Sequence, residues 1–309
     1  MHLPRQHVVI ALATAAATVA AVATLTAGPA SAASTPTTVT HTYSSAAQSA
    51  AASHWSPSAM SAASALGGGA SSPGKMTANA DSQNPPPGIP NPVYFNGVPT
   101  VGALFFTTGA QNHFCTASVT DSVTMNLVLT AAHCVAYGNG VYAQDVVYVP
   151  EWHNGVAPYG AWPVANITVT SSWNQSGDIN ADFAFLKVAP PSGTRLPVQA
   201  VTGGLKLGSF TGYNHQNIHV IGYNNTDSAP IICATSSFYA LPSQDEFYCN
   251  NYNDGTSGGP WILGLNPVTG TGTVFGDIGG YEQGGDYPWA SYSAYYDATI
   301  ERLWLQAQV

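Results

Sequence analysis

The chain has 309 residues, a formal net charge of −9 and only 7% charged residues. After Val93 four Lys and Arg stand against fourteen Asp and Glu, so no basic patch is available for phosphates and nucleic-acid binding is disfavoured. The first third is poor in large apolar residues, which leaves about 215 residues for globular structure, enough for one large or two small domains.

The N-terminus has the pattern of a secretory signal. An apolar run from Val8 to Ala27 follows a weakly basic start, and Ala30-Ser31-Ala32 has the small-residue spacing of a signal-peptidase site. A membrane anchor is the alternative, because the run approaches a spanning length. We interpret residues 1–33 as a signal peptide, which predicts a secreted, extracellular protein that has no membrane association after the signal is removed.

Residues 34–92 are dominated by Ala, Ser, Thr, Pro and Gly, and they include Gly67-Gly68-Gly69 and Pro85-Pro86-Pro87. A segment of this composition buries too little apolar surface to offset its ordering entropy. It is therefore expected to be disordered or loosely structured. It is either a pro-segment, removed when a zymogen matures, or a plain linker.

From residue 93 to 309 the pattern predicts an all-β domain, because short β-rich runs are broken by Gly, Asn, Asp and Pro. One C-terminal segment, 297–308, is predicted to be a helix, since an apolar side is formed by Ile300, Leu303, Trp304 and Leu305. The predicted strands are 119–129, 146–149, 166–170, 183–188, 218–222, 260–265 and 274–278.

Two short motifs carry the candidate chemistry. His133 lies in L-T-A-A-H-C, residues 129–134, and Ser257 lies in D-G-T-S-G-G-P, residues 254–260. A serine hydroxyl is a weak nucleophile at neutral pH, so it needs an imidazole within hydrogen-bond reach and a third group that orients the imidazole. We therefore interpret His133 as a general base and Ser257 as a nucleophile.

Two acids compete for the orienting role. Asp182 directly precedes the apolar run F-A-F-L-K-V, residues 183–188, whereas Asp178 lies among Gly177, Ile179 and Asn180 in a stretch that reads as an exposed loop. A carboxylate at the start of a buried strand can hold an imidazole in one tautomer. Asp182 is therefore the favoured candidate and Asp178 the alternative.

The four cysteines of a secreted chain are expected to form disulfides. Of the three possible pairings, Cys115–Cys134 and Cys233–Cys249 are favoured, because each closes a short loop beside one of the two motifs. Zinc binding is the alternative, but no C-x-x-C spacing occurs. We expect no metal and no other cofactor.

The order His133, Asp182, Ser257, together with the T-A-A-H-C and G-x-S-G-G-P boxes, resembles the chymotrypsin-like (trypsin-like) serine proteases. The resemblance spans about Val98 to Leu305, and the segment from Tyr248 to Pro260 is most similar to the bacterial secreted branch that includes the glutamyl endopeptidases. It implies two antiparallel six-stranded β-barrels with the site between them and a C-terminal helix. It also implies a monomeric endopeptidase that hydrolyses proteins or peptides through an acyl-enzyme.

The resemblance also assigns finer roles. Gly255 and Ser257 would supply the two backbone N–H groups of an oxyanion hole. In trypsin-type members the residue before the nucleophile is an aspartate that pairs with the new N-terminus, but here it is Thr256. Activation by that charge pair therefore cannot operate in this form.

The primary specificity pocket is expected between the segment before Ser257 and the strand 273–281. Glutamyl members carry a histidine on that strand, whereas this chain has Asp277 and Ile278, which argues against a preference for Glu. Asp254 and Asp277 instead favour a basic substrate side chain, unless both are solvated rim charges. A catalytically silent relative that serves as a binding or adhesion module is the alternative function.

Overall fold

The computed structural model describes residues 38–66, 84–224 and 229–309. The predicted signal peptide, residues 1–33, lies outside the described residues. The described residues form sixteen strands, which are, in chain order, β1 (Thr38–Thr42), β2 (Ser64–Ala65), β3 (Val93–Tyr94), β4 (Val101–Thr108), β5 (Gln111–Thr120), β6 (Leu127–Thr130), β7 (Gln144–Pro150), β8 (Trp162–Thr170), β9 (Ala184–Val188), β10 (Lys206–Leu207), β11 (His215–Tyr223), β12 (Pro230–Leu241), β13 (Gln244–Tyr248), β14 (Pro260–Leu263), β15 (Thr273–Asp277) and β16 (Ala290–Ala294).

Helices are few and short. Six are α-helical, and two further turns, Ile179–Ala181 and Tyr281–Gly284, are of the 3-10 type. The α-helices are α1 (Ser45–His54), α2 (Pro57–Ser61), α3 (Ala132–Val135), α4 (Ser171–Ser176), α5 (Val198–Thr202) and α6 (Ala298–Ala307). Within the described part of the chain no helix is both long and apolar enough to cross a membrane.

The first sheet closes into a barrel. Its strands follow the order β8-β7-β4-β5-β6-β9, and β9 pairs again with β8, so six antiparallel strands form a ring. Successive side chains of a strand point to opposite faces. On β4, Leu104 and Phe106 accordingly pack in the main core, whereas Phe105 packs in a separate cluster.

The second sheet forms the other barrel, with the antiparallel order β15-β14-β11-β12-β13-β16. Its two end strands are joined by a side chain, because the Asp277 N–H donates to Ser293 Oγ at 3.0 Å. Outside this order, β10 pairs parallel with β15 and β3 pairs with β12. The predicted all-β fold of two barrels with a C-terminal helix is confirmed, and Ile300 and Leu303 of α6 are completely buried.

The predicted strands differ from the structure in two ways. The predicted strand 119–129 is a hairpin, since β5 ends at Thr120 and β6 begins at Leu127. Strands β12 and β16 were not predicted, and neither was β13, which has the polar sequence Q-D-E-F-Y. It is nevertheless buried over Gln244–Phe247 between β12 and β16.

Residues 38–66, called the strap below, have regular structure, which contradicts the expectation that residues 34–92 are disordered or loosely structured. Strand β1 pairs antiparallel with β8 over five residues, and β2 pairs parallel with β5. Helix α1 packs over the barrel, with Trp55 beside Phe105 at a ring-centroid distance of 5.4 Å. The remainder of the segment includes residues 34–37 and 67–83, which lie outside the described residues.

The composition of the strap does not indicate its regular structure. Ser44 and Ser56 cap α1 and α2, since their hydroxyls accept the N–H groups of Ala47 and Ala59, and Pro57 occupies the first turn of α2. Three large side chains among many small ones, Tyr43, Trp55 and Met60, are buried. Tertiary burial therefore orders a segment whose average composition is typical of disorder.

Candidate active site

His133 lies in the one-turn helix α3, directly after β6. Its side chain is only 5% exposed. The adjacent Cys134 forms a disulfide with Cys115 of β5, so the turn is fastened to a neighbouring strand of the same barrel. The second disulfide, Cys233–Cys249, links β12 to the residue that follows β13. Both pairings predicted from the sequence are therefore present.

Asp182 contacts His133 and is completely buried at the end of the turn Ile179–Ala181. Its Oδ2 lies 2.8 Å from His133 Nδ1, and its Oδ1 accepts the backbone N–H of His133 at 2.8 Å. Oδ2 also accepts the N–H of Gly280, in the second barrel, at 2.9 Å. Backbone donors from both barrels thus fix the carboxylate.

This contact sets the chemistry of the imidazole. An ionised carboxylate can only accept hydrogen bonds, so Nδ1 carries the proton and Nε2 is left as an acceptor. Burial by itself lowers the pKa of His133. The charge and hydrogen bond of Asp182, together with the more distant charges of Asp277 and Asp254, outweigh burial and raise it. The pair therefore favours proton uptake at His133.

Asp178, the alternative orienting acid, has a different role. Its Oδ1 accepts the N–H of Asn180 at 3.1 Å and thereby caps the turn that leads to Asp182. The side chain is partly exposed. Of the two candidates, the one that contacts the imidazole is Asp182.

Ser257 lies in a loop that is anchored to the first barrel. Its carbonyl oxygen accepts the N–H of Thr116 on β5 at 2.8 Å, and Thr116 Oγ1 donates to the carbonyl oxygen of Gly255 at 3.0 Å. The Ser257 side chain is mostly buried, at 8% exposure. Cys115, next to Thr116, is disulfide-bonded to the residue after His133, so one strand holds both motifs.

Two glycines allow this close approach. Gly255 and Gly258 have φ values of +92° and +77°, which favour glycine. A Cβ on Gly258 would lie 2.2 Å from Thr130 Oγ1 and 2.9 Å from the backbone nitrogen of Ala131. The loop of Ser257 therefore packs directly against the residues that precede His133.

Thr256, the departure from the trypsin-type pattern, is engaged within its own loop. Its Oγ1 donates to the carbonyl oxygen of Asn253 at 2.8 Å, and its N–H points to the same oxygen at 3.2 Å. The side chain is 3% exposed. It stabilises the turn before Ser257 through a neutral hydrogen bond.

A pocket of about 420 Å³ lies beside Ser257. It is bounded by the segment before Ser257 and by a loop after β15 that the sequence did not point to. Three carboxylates reach it: Asp254 and Asp286 are exposed and Glu282 is half-buried. The lining residues are Tyr252, Asn253, Asp254, Thr256, Ser257, Ile278, Glu282, Gln283, Gly284, Gly285, Asp286, Tyr287, Pro288 and Ser291.

The pocket loop has an unusual backbone. Glu282 and Gln283 both adopt left-handed φ values, +51° and +55°, which non-glycine residues rarely do. Gly284 and Gly285 follow at +108° and +122°. The sequence signal that could have located this loop is E-Q-G-G-D, which places two acids around a glycine pair directly after the predicted strand.

Asp277, expected from the sequence to line the pocket, is not among its lining residues. It is completely buried, and its Oδ1 accepts the hydroxyl of Tyr296 at 2.6 Å. Burial raises the pKa of Asp277 to about 8. The Tyr296 hydrogen bond opposes this rise, the charge of Asp182 adds to it and His133 opposes it. Asp254 and Ile278, the other two predicted pocket residues, do line the pocket.

Among the described residues, no group of three or more His, Cys, Asp or Glu side chains is arranged to hold a metal ion. The groups that the structure brings together at this site are an imidazole, a carboxylate and an adjacent serine loop. In such an arrangement, an imidazole acceptor and a serine hydroxyl are the components of acyl transfer.

Comparisons with known proteins agree with this geometry. The sequence profile of the trypsin family matches residues 91–296. No curated protein matches the chain significantly.

Solved protease structures share the fold. The protease Anisep from Arthrobacter nicotinovorans is 24% identical and has a TM-score of 0.60, over 70% of this chain and 98% of that one. The thermostable serine protease AL20, from an extremophilic microorganism, is also 24% identical, with a TM-score of 0.60 over 68% and 97%. A Glu endopeptidase in complex with MPD is 15% identical, with a TM-score of 0.56 over 72% and 98%. At these identities the likeness concerns the fold.

Proposed function

The chain belongs to the trypsin family, and from that premise we propose that it is a secreted serine endopeptidase whose triad is Ser257, His133 and Asp182. The observation that supports this most is the contact of Asp182 with His133 Nδ1, at 2.8 Å. It leaves Nε2 as the acceptor that a serine nucleophile requires.

In the proposed reaction, Ser257 Oγ bonds to the carbonyl carbon of the scissile peptide while its proton passes to His133 Nε2. The N–H groups of Gly255 and Ser257 are proposed to stabilise the oxyanion, and loss of one such donor typically costs about 100- to 1,000-fold in rate. The imidazolium then gives its proton to the leaving amine as the C–N bond breaks. Water, deprotonated by His133, releases the acid from the acyl-enzyme and restores Ser257.

Labelling by a fluorophosphonate tests this proposal on the mature secreted protein. The expected result is one adduct on Ser257, located by peptide mass spectrometry, and its loss in Ser257→Ala. The same substitution is expected to lower peptide turnover by about a millionfold. Ser53→Ala, at an exposed serine of the strap, is the control and should label normally. A properly matured protein that forms no adduct would instead favour the catalytically silent binding or adhesion module.

The substrate preference that we propose is a basic side chain before the scissile bond. The support is the charge of the pocket, where Asp254, Glu282 and Asp286 all contribute to the lining. The apolar Ile278 and Tyr252 can pack along the aliphatic part of such a side chain.

Secretion is proposed from the two disulfides, which persist in oxidising compartments, together with the signal-like residues 1–33. We propose a protease domain at 93–309, preceded by the pro-segment or linker 34–92. The strap within that segment packs Trp55 on Phe105 and contributes β1 to the first sheet. Loss of the strap would expose apolar surface of the first barrel to water. We therefore propose that a cleavage within residues 34–92 leaves the strap bound to the barrel.

A further inference from the structure

Gln244, the first residue of β13, is completely buried and has hydrogen-bond partners at both ends of its side chain. Its Oε1 accepts the N–H of Tyr281 at 3.0 Å. Its Nε2 donates to the side-chain oxygen of Asn180 at 2.8 Å and to the carbonyl oxygen of Ile179 at 3.1 Å. A buried amide is satisfied only when such partners are present.

The two segments that Gln244 joins are the two that hold Asp182. Ile179 and Asn180 belong to the turn that ends at Asp182, whereas Tyr281 follows Gly280, whose N–H donates to Asp182 Oδ2 at 2.9 Å. One segment belongs to the first barrel and the other to the second. Gln244 therefore closes a ring of contacts around the carboxylate.

The position of Gly280 leaves little freedom in this ring. Its φ is +78°, and a Cβ there would lie 2.3 Å from Gln244 Oε1 and 2.8 Å from the backbone nitrogen of Ala294. The Gly280 backbone thus rests directly on the Gln244 amide. Movement of that amide would alter the direction of the N–H that Asp182 accepts.

We propose that Gln244 is a positioning residue for the catalytic carboxylate, which aligns the Gly280 N–H and the 179–181 turn so that Asp182 keeps its contact with His133. The inference rests on the proposed function. Without Gln244, Asp182 loses a fixed donor and the imidazole loses its orientation. Small displacements of a catalytic group are costly because reaction requires near-attack geometry.

Gln244→Leu removes all three hydrogen bonds while nearly keeping the side-chain volume. We expect kcat to fall about 10- to 100-fold and KM to change less, because none of the three residues bonded to Gln244 lines the substrate pocket. We also expect a lower pKa of His133, because Asp182 stabilises the imidazolium less well. The other acids that act on His133 are Asp277 and Asp254, and the substitution changes neither.

Gln244→Glu is the conservative variant. A buried carboxyl keeps an acceptor for Tyr281 and, when protonated, one donor for Asn180. Its kcat and His133 pKa should therefore lie between those of the wild type and Gln244→Leu.

Thr100→Val is the matched control, since Thr100 is also completely buried and its Oγ1 donates across the barrels to the carbonyl oxygen of Gly270 at 2.6 Å. We expect this variant to lose thermal stability but to keep kcat within about twofold, as expected for a site without shared partners.

The pKa of His133 is measured by ¹⁵N NMR of histidine-labelled full-length protein, and kcat by peptide hydrolysis. If folded Gln244→Leu resembles Thr100→Val, with lower stability but an unchanged His133 pKa and kcat, the positioning role is refuted. The NMR measurement does not require turnover. A wild-type protein that forms no Ser257 adduct therefore refutes the proposed function separately.

Discussion

The His133–Asp182 pair and the pocket beside Ser257 are neighbours built in opposite ways. The pair is buried, and Asp182 is held by backbone N–H groups of both barrels. The pocket is lined by a loop with left-handed residues and by carboxylates, of which Asp254 and Asp286 are exposed. The groups proposed for the chemistry are therefore buried and fixed by backbone hydrogen bonds, whereas those proposed for selectivity lie on a loop in contact with water.

Among the substitutions that test this comparison, Asp182→Asn is expected to have the largest effect, because it breaks the pair but leaves the pocket intact. An amide at this position can donate to Nδ1 and so favours the wrong tautomer, and kcat is expected to fall about 10⁴-fold. Peptide selectivity should not change. Asp178→Asn, which alters only the cap of the preceding turn, is the control and should retain most of the activity. Equal losses in the two variants would contradict the role given to Asp182.

Asp277→Asn tests whether Asp277 belongs with the buried His133–Asp182 pair or with the pocket. Its carboxyl keeps a proton in the folded protein up to a pKa of about 8, whereas the unfolded chain releases it near the ordinary value of 3.8. The contribution of Asp277 to the free energy of unfolding therefore decreases as pH rises between these values, by at most about 1.4 kcal/mol per pH unit. Asparagine does not titrate, so the free energy of unfolding of the variant does not contain this pH-dependent decrease.

We expect Asp277→Asn to match the wild type near pH 4 and to be increasingly the more stable protein up to pH 8, as measured by urea unfolding at several pH values. Its preference among peptides should be unchanged. A shift in that preference would return Asp277 to the pocket, and parallel stability curves would contradict a buried, protonated carboxyl.

The smallest effect is expected at the pocket rim. In a panel of peptides that differ only before the scissile bond, Lys and Arg substrates should be cleaved faster than Leu substrates. Asp254→Asn together with Asp286→Asn should lower kcat/KM for Lys by about three- to tenfold and leave Leu unchanged, because exposed charges each contribute up to about 1 kcal/mol. High salt should weaken the preference in the same direction. Equal wild-type rates for Lys and Leu would refute the basic preference.

Sequence reasoning succeeded where an element depends on neighbouring residues, as in the C-terminal helix with its apolar side. His133, Asp182 and Ser257 stand in short motifs and remain the residues proposed for the triad. It failed where burial comes from remote partners. Strand β13 carries acids yet lies between two strands, and the Ala- and Ser-rich strap is ordered by contacts with the first barrel.

By itself, the sequence predicted an all-β domain, the two disulfides and the residues proposed for the triad, and its resemblance to the chymotrypsin-like proteases implied the two barrels. These depend on short motifs, on β-strand patterning and on four cysteines with few possible pairings. Only the tertiary structure buried Asp277 against Tyr296, brought Glu282 and Asp286 to the pocket and set Gln244 between the two segments that hold Asp182. Those positions depend on contacts between residues that are far apart in the sequence. Such contacts leave no periodic or local pattern that sequence analysis can detect.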